Sequence, residues 1–150
     1  MGRGERGGAA QILRYNLLDF RGSAAVLDEY LALRKGCAYD RKDSQALYIR
    51  ASTWLQGASD AARAHECFGE YFEYMDRAGM MPTAAAFLLA GEASRRVGDR
   101  AGARETWKRL LLFHPDSCEA FKARSLGIRH FGEDIASDSP AVGADSGSSR

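Results

Sequence analysis

The residues Gly2-Arg3-Gly4-Glu5-Arg6-Gly7 spell G-x-G-x-x-G, a spacing that in a dinucleotide fold lets backbone amides cradle a pyrophosphate at a helix N-terminus. That chemistry needs a strand before the glycines and a βαβ unit after them. Neither surrounds Gly2, and residues 1–8 read as a flexible leader. Cys37, Cys67 and Cys118 are widely separated and form no C-x-x-C pair, which suits a reducing compartment and small apolar side chains in a core. His65 and Cys67 are two apart on a predicted helix, so they point to different faces. Pro115 breaks the helical path from His114 to Cys118. No metal site and no cofactor are expected. The carboxylate pairs Asp28-Glu29 and Glu133-Asp134 are sequence neighbours, and no P-loop, nucleophile elbow, zincin or EF-hand pattern occurs. Catalytic residues are accordingly not expected, and the chain is read as a non-enzyme.

One cluster keeps some chemical content. Arg100, Arg104 and Lys108 share a helical face at i, i+4, i+8, with Arg95, Arg96 and Arg109 nearby. Arg96, Arg100, Arg104 and Lys108 make a possible basic face. Residues 84–131 carry a net charge of +4, modest for a phosphate-binding surface. A solvated helix face is the favoured reading, an acidic protein partner or weak nucleic-acid binding the alternative. The acidic stretch beyond residue 131 could also fold back on it.

Composition points to the elements that must carry these residues. The 150 residues are 45% hydrophobic and 27% charged, which fits one globular domain. Twenty-five Ala and 14 Leu stand against ten β-branched residues, a balance that favours helix over sheet. A formal charge of +1 implies no bulk attraction to nucleic acid or an anionic membrane. No apolar run approaches the roughly 20 residues of a membrane helix. The N-terminal stretch lacks the apolar core of a secretory signal, and Arg6 stands where a myristoylation motif needs Ser or Thr. A cytoplasmic protein without a membrane partner is expected.

Periodicity predicts seven helices. The first spans about 9–20 and stops at Arg21-Gly22; the second is capped by Ser23, carries Val26, Leu27, Tyr30, Leu31 and Leu33, and ends at Gly36. The third starts near Ser44, carries Leu47, Tyr48, Ala51, Trp54 and Leu55, and halts at Gly57. The fourth starts at Ser59 or Asp60 with Ala64, Cys67, Phe68, Tyr71, Phe72 and Met75 on its apolar side. The fifth, capped by Thr83, runs to about Val97; the sixth spans 100–113; the seventh, capped by Asp116 or Ser117, ends near Phe131. Residues 132–150, with a net charge of −3, are expected to be a disordered acidic tail.

The window 84–117 is 34 residues long and contains an ordered set of sizes. Phe87, Ala90, Gly91 and Ser94 occupy the slots of W-x-x-L-G-x-x-Y, and Ala103, Trp107 and Pro115 follow at the A-x-x-x-F and closing P slots. Gly91 would let two helices approach closely, Ala103 would sit where they cross, and Pro115 would stop the second. This window resembles a tetratricopeptide repeat. A second unit, about 45–78, places Tyr48, Ala51, Ser52 and Leu55 on its first helix and Ala64 and Phe68 on its second, with Asp76 where the proline would be. A third, about 9–40, retains only Leu13, Leu17, Val26 and Tyr30.

The resemblance implies an all-α, right-handed array of about three antiparallel hairpins over 9–131, closed by a capping helix at 118–131. It also implies a protein-binding adaptor or scaffold whose concave groove, lined by the first helix of each pair, would present Gln11, Tyr15, Ile49, Thr53, Leu88, Glu92 and Lys122. Those types do not make a clamp for a terminal carboxylate and better suit an apolar or amphipathic peptide or helix. A secretion-type chaperone falls in the same class. A self-assembling structural protein, possible as a homo-oligomer, is the alternative class.

Overall fold

The computed structural model describes residues 19–136. Within them the fold is all-α: α1 (Phe20–Leu33), α2 (Arg41–Ser52), α3 (Ala61–Ala78), α4 (Ala84–Arg96), α5 (Arg100–Phe113) and α6 (Cys118–Phe131), with no strand among the described residues. Residues 9–18 of the helix predicted over 9–20, with its groove residues Gln11 and Tyr15, the leader 1–8 and residues 137–150 lie outside the described residues, while Phe20, expected to end that helix, opens α1.

Short polar side chains start every helix. Asp19, Asp40, Asp60, Asp99 and Ser117 each accept a hydrogen bond from a first-turn amide, and Thr83 Oγ1 accepts from Ala86 N at 3.2 Å. This corrects two predicted starts. Asp19, not Ser23, caps α1, so Arg21-Gly22 lies inside the first turn and Ser23 is buried. Asp40 moves the start of α2 ahead of Ser44, whose hydroxyl donates to Arg41 O at 2.8 Å within the helix. At the other end, α2 widens into a π-helical turn, Thr53–Gly57, with Ala58 N donating to Thr53 O at 3.0 Å. The Thr53 hydroxyl donates to Ile49 O at 2.7 Å, and Trp54 and Leu55 are both buried there.

Among the described residues the chain forms two compact units, 19–82 with 96–98 and 83–95 with 99–136. In the first, Leu27 and Tyr30 of α1 pack on Ala46 of α2, flanked by Val26, Leu31 and Ile49. Tyr48 of α2 sets its ring edge-on to Phe68 and Tyr71 of α3, with centroids 6.4 and 6.3 Å away. Trp54 lies between the guanidinium groups of Arg21 and Arg63, at 5.5 and 4.7 Å. The left-handed Gly79 (φ 68°) closes α3.

The second unit is built around Trp107, which is fully buried and donates from Nε1 to Leu88 O at 3.1 Å. A Cβ at Gly91 would overlap the indole, so the glycine is what admits the ring to α4. Phe87 stacks on Phe113 at 6.1 Å, Phe131 lies 5.7 Å from Trp107, and Ala103 is fully buried. α5 stops at Phe113, ahead of Pro115. In unit 45–78 of the resemblance, Ala64 and Phe68 are buried and Tyr48 is half-buried.

Two expectations need correction. The acidic tail is not disordered from its first residue: Ile135 is buried against Gly127, Glu133 pairs with Arg104, and Asp134 pairs with Arg124 at 2.7 Å. One apolar residue with two flanking carboxylates is enough to bind residues 132–136 back onto α5 and α6. Of the three cysteines expected in the core, only Cys67 is there. Cys37 sits in the exposed turn after α1, and Cys118 opens the outer face of α6, so neither has a core to enter.

Candidate functional site

The polar residues of α2 interrupt its own apolar stripe. Asp43, Leu47, Arg50 and Trp54 recur at three-to-four spacing, so the two charges must enter the helix packing with the apolar side chains. Asp43, only 3% exposed, accepts from the Tyr30 hydroxyl at 2.6 Å and from Arg34 Nε at 3.1 Å on each oxygen, with Arg34 Nη2 at 3.0 Å. A carboxylate in the first turn of α2 also faces the positive end of the helix dipole. Hydrogen bonds donated to Asp43 hold the Arg34 guanidinium above its ordinary pKa, against the opposing pull of burial.

Arg50 is 8% exposed and ties three helices together: Nη1 donates to Asp28 of α1 at 3.0 Å and Nη2 to Glu70 of α3 at 2.5 Å. Burial pulls its pKa down, and the Glu70 and Asp28 carboxylates, helped by the neighbouring Cys67, bring the net shift upward. Its Nε is buried with no hydrogen-bond partner. Beside it, burial pushes the Cys67 thiol up to about 11, more than Arg50 draws it down.

Asp28, Arg34, Asp43, Arg50 and Glu70 border an open cleft of about 960 Å³ between α1, the turn after it, the start of α2 and the end of α3. The α1–α2 connector is fixed by Tyr74 of α3, whose hydroxyl accepts from Asp40 N at 2.9 Å and whose ring lies 5.6 Å from that of Tyr39. Burial raises the Tyr74 pKa, so the phenol stays protonated. The cleft is lined by Arg34, Lys35 and Arg77 and by Asp28, Glu70 and Glu73, and Tyr39 and Leu31 supply aromatic and apolar surface. Both signs of charge are therefore offered within one concavity.

The predicted groove residues fall elsewhere. Ile49 is half-buried against the α1–α2 core, and Thr53 is fully buried with its hydroxyl spent on Ile49 O, so Thr53 offers no surface. In the other unit Leu88 is half-buried, Glu92 accepts from Arg95 Nε and Nη2 at 3.1 and 2.6 Å, and Lys122 is exposed on α6. The basic face is likewise not a row of bare cations. Arg104 is paired with Glu133, Arg100 lies 5.0 Å over the Phe131 ring, Lys108 is half-buried, and Arg96 is exposed. Asp28, Arg34, Asp43, Arg50 and Glu70 were missed by sequence reasoning, although Asp43 and Arg50 inside an apolar stripe signal them.

Among the described residues no three His, Cys, Asp or Glu side chains converge as a metal ion requires, and no helix is long and apolar enough to cross a membrane. No family model matches the chain, and no curated protein matches it.

Proposed function

We propose that this chain is a non-enzymatic protein-binding module of tetratricopeptide-like helical hairpins, with the cleft of α1, α2 and α3 as the seat for a short partner segment carrying charges of both signs. The observation that carries the reading is the cleft itself: Arg34, Lys35 and Arg77 line it together with Asp28, Glu70, Glu73 and the exposed Tyr39. Peptide segments are zwitterionic and amphipathic, and such walls match them better than they match a uniformly anionic nucleic acid. A second support is electrostatic. The shifted groups that line the cleft, Arg34, Arg50 and Tyr74, are each displaced further from pH 7, toward the protonated state they already hold there. General acid–base catalysis asks for the opposite displacement. The small-residue crossing at Gly91 and Trp107 and the stop before Pro115 support the repeat resemblance, from which binding is an inference by analogy.

The test is a peptide array of mixed-charge sequences probed with the purified full chain and with a Glu73→Lys, Arg77→Glu variant. Both residues face the cleft from the end of α3. Peptides retained by the wild type and lost or exchanged in the variant support the reading. Identical retention by both chains, or none by either, removes it.

A further inference from the structure

The outer face of α6 carries a pattern that the cleft does not use. Cys118, Phe121, Ser125 and Ile128 are all exposed and follow the 3-4-3 spacing of a coiled-coil seam, with Phe121 73% and Ile128 55% exposed. The opposite side of the helix is already committed, since Ala120, Ala123 and Gly127 are buried. Large apolar side chains at i and i+7 on an outward helix face are the anchors by which one amphipathic helix docks on another. We propose that this face binds an amphipathic helix of another protein, apolar along its seam and acidic along the facing edge.

Charge selects that occupant. Lys122 and Arg129 are exposed and lie one residue after Phe121 and Ile128, so they form a cationic edge along one side of the seam. On the other side Arg124 is held by Asp134 at 2.7 Å, which leaves that edge near neutral. A second copy of this chain docked antiparallel through the same seam would set Lys122 and Arg129 against their own counterparts, a like-charge arrangement that opposes self-pairing. The chain's own residues 137–150 do not qualify either, because Pro140, Gly143 and Gly147 interrupt them and Val142 is their one large apolar residue. A foreign helix bearing Glu or Asp on the facing edge satisfies both the apolar seam and Lys122 and Arg129.

The probes are two synthetic helices, each with Leu along its seam, one with Glu and one with Lys at the flanking positions, titrated by fluorescence anisotropy against the full chain. The Glu helix is expected to bind about tenfold more tightly than the Lys helix, since two exposed pairs change sign between them. Lys122→Glu with Arg129→Glu should reverse the preference, and Ile128→Asp or Phe121→Ser should each abolish binding. These side chains point to solvent, so circular dichroism and melting of each variant should match the wild type. Equal binding of both helices, no binding of the Glu helix, or binding indifferent to Ile128→Asp overturns the proposal. Sedimentation that shows a dimer lost in Ile128→Asp overturns it as well, by assigning the face to a second copy. The Glu73→Lys, Arg77→Glu cleft variant should bind the Glu helix normally, which separates this surface from the proposed cleft.

Discussion

The two units close their helices by different physics. In the first, charges are taken into the packing: Asp43 gathers Tyr30 and Arg34, and Arg50 reaches Asp28 and Glu70 across two helix interfaces. In the second, the helices meet through an absent side chain, with Gly91 making room for Trp107 and the small Ala103 fully buried. Close packing of small against large gives dense contact without desolvating charge. Buried ion pairs recover little net stability but fix which groups may meet. The polar unit is therefore the one expected to respond to pH and to charge substitution, and the apolar unit the one expected to respond to volume.

The chain has two tryptophans, Trp54 in one unit and Trp107 in the other, so each unit carries its own fluorescent reporter. The largest effect is expected from Trp107→Ala, about 3 to 5 kcal/mol, because a fully buried ring is removed from a site shaped by Gly91. Urea unfolding followed by circular dichroism checks it, with Trp54 emission reading the first unit separately, and a loss below about 1 kcal/mol would show that the second unit collapses around the gap. Next comes Asp43→Ala, expected to cost about 2 kcal/mol by removing the buried carboxylate that accepts from Tyr30 and pairs with Arg34. If Asp43→Leu is as stable as the wild type, the polar network specifies the α1–α2 pairing without stabilising it.

A smaller effect sharpens the same contrast. The buried Cys67 thiol titrates near 11 in the folded chain, whereas an unfolded thiol ionises near about 8.5. Between those values the folded state holds the extra proton, so stability falls as pH rises through the window. Cys67→Ala should flatten that alkaline slope, read as urea midpoints from pH 8 to 11 on the ordinary scale of thiol titration.

Much of the fold was legible because helix punctuation is local. Asp99, Thr83 and Ser117 mark starts, and Pro115 follows a stop. Phe87, Gly91, Ala103 and Trp107 are all buried in the second unit, where the pattern of small and large volumes readable in sequence is what the packing uses. The start of α1 was misplaced because Gly22 resembles a breaker, yet in a first turn its amide bonds Asp19 Oδ1 at 2.8 Å. The cleft was missed for a different reason. Asp28, Asp43 and Glu70 are unremarkable as surface carboxylates in sequence, and only the third dimension places them around Arg34 and Arg50. Thr53 was assigned to a groove by slot, but the π-turn rotates it into the core.

The smallest predicted effect concerns the Arg124–Asp134 pair, a charged contact through which the apolar unit responds to acid. Hydrogen bonds from Arg124 and the Ala136 amide hold the Asp134 carboxyl below the usual carboxylate range. A folded pKa that is depressed contributes above the unfolded value and is lost as pH falls through the folded one, so this anchor weakens below about pH 4. The methyl resonances of Ile135 should then leave their packed positions in acid while those of Leu110, deep in α5, stay fixed. Asp134→Asn should weaken the anchor already at neutral pH. If the Ile135 methyls hold their shifts in both experiments, burial against Gly127 alone retains residues 132–136, and the second unit owes its closure to volume throughout.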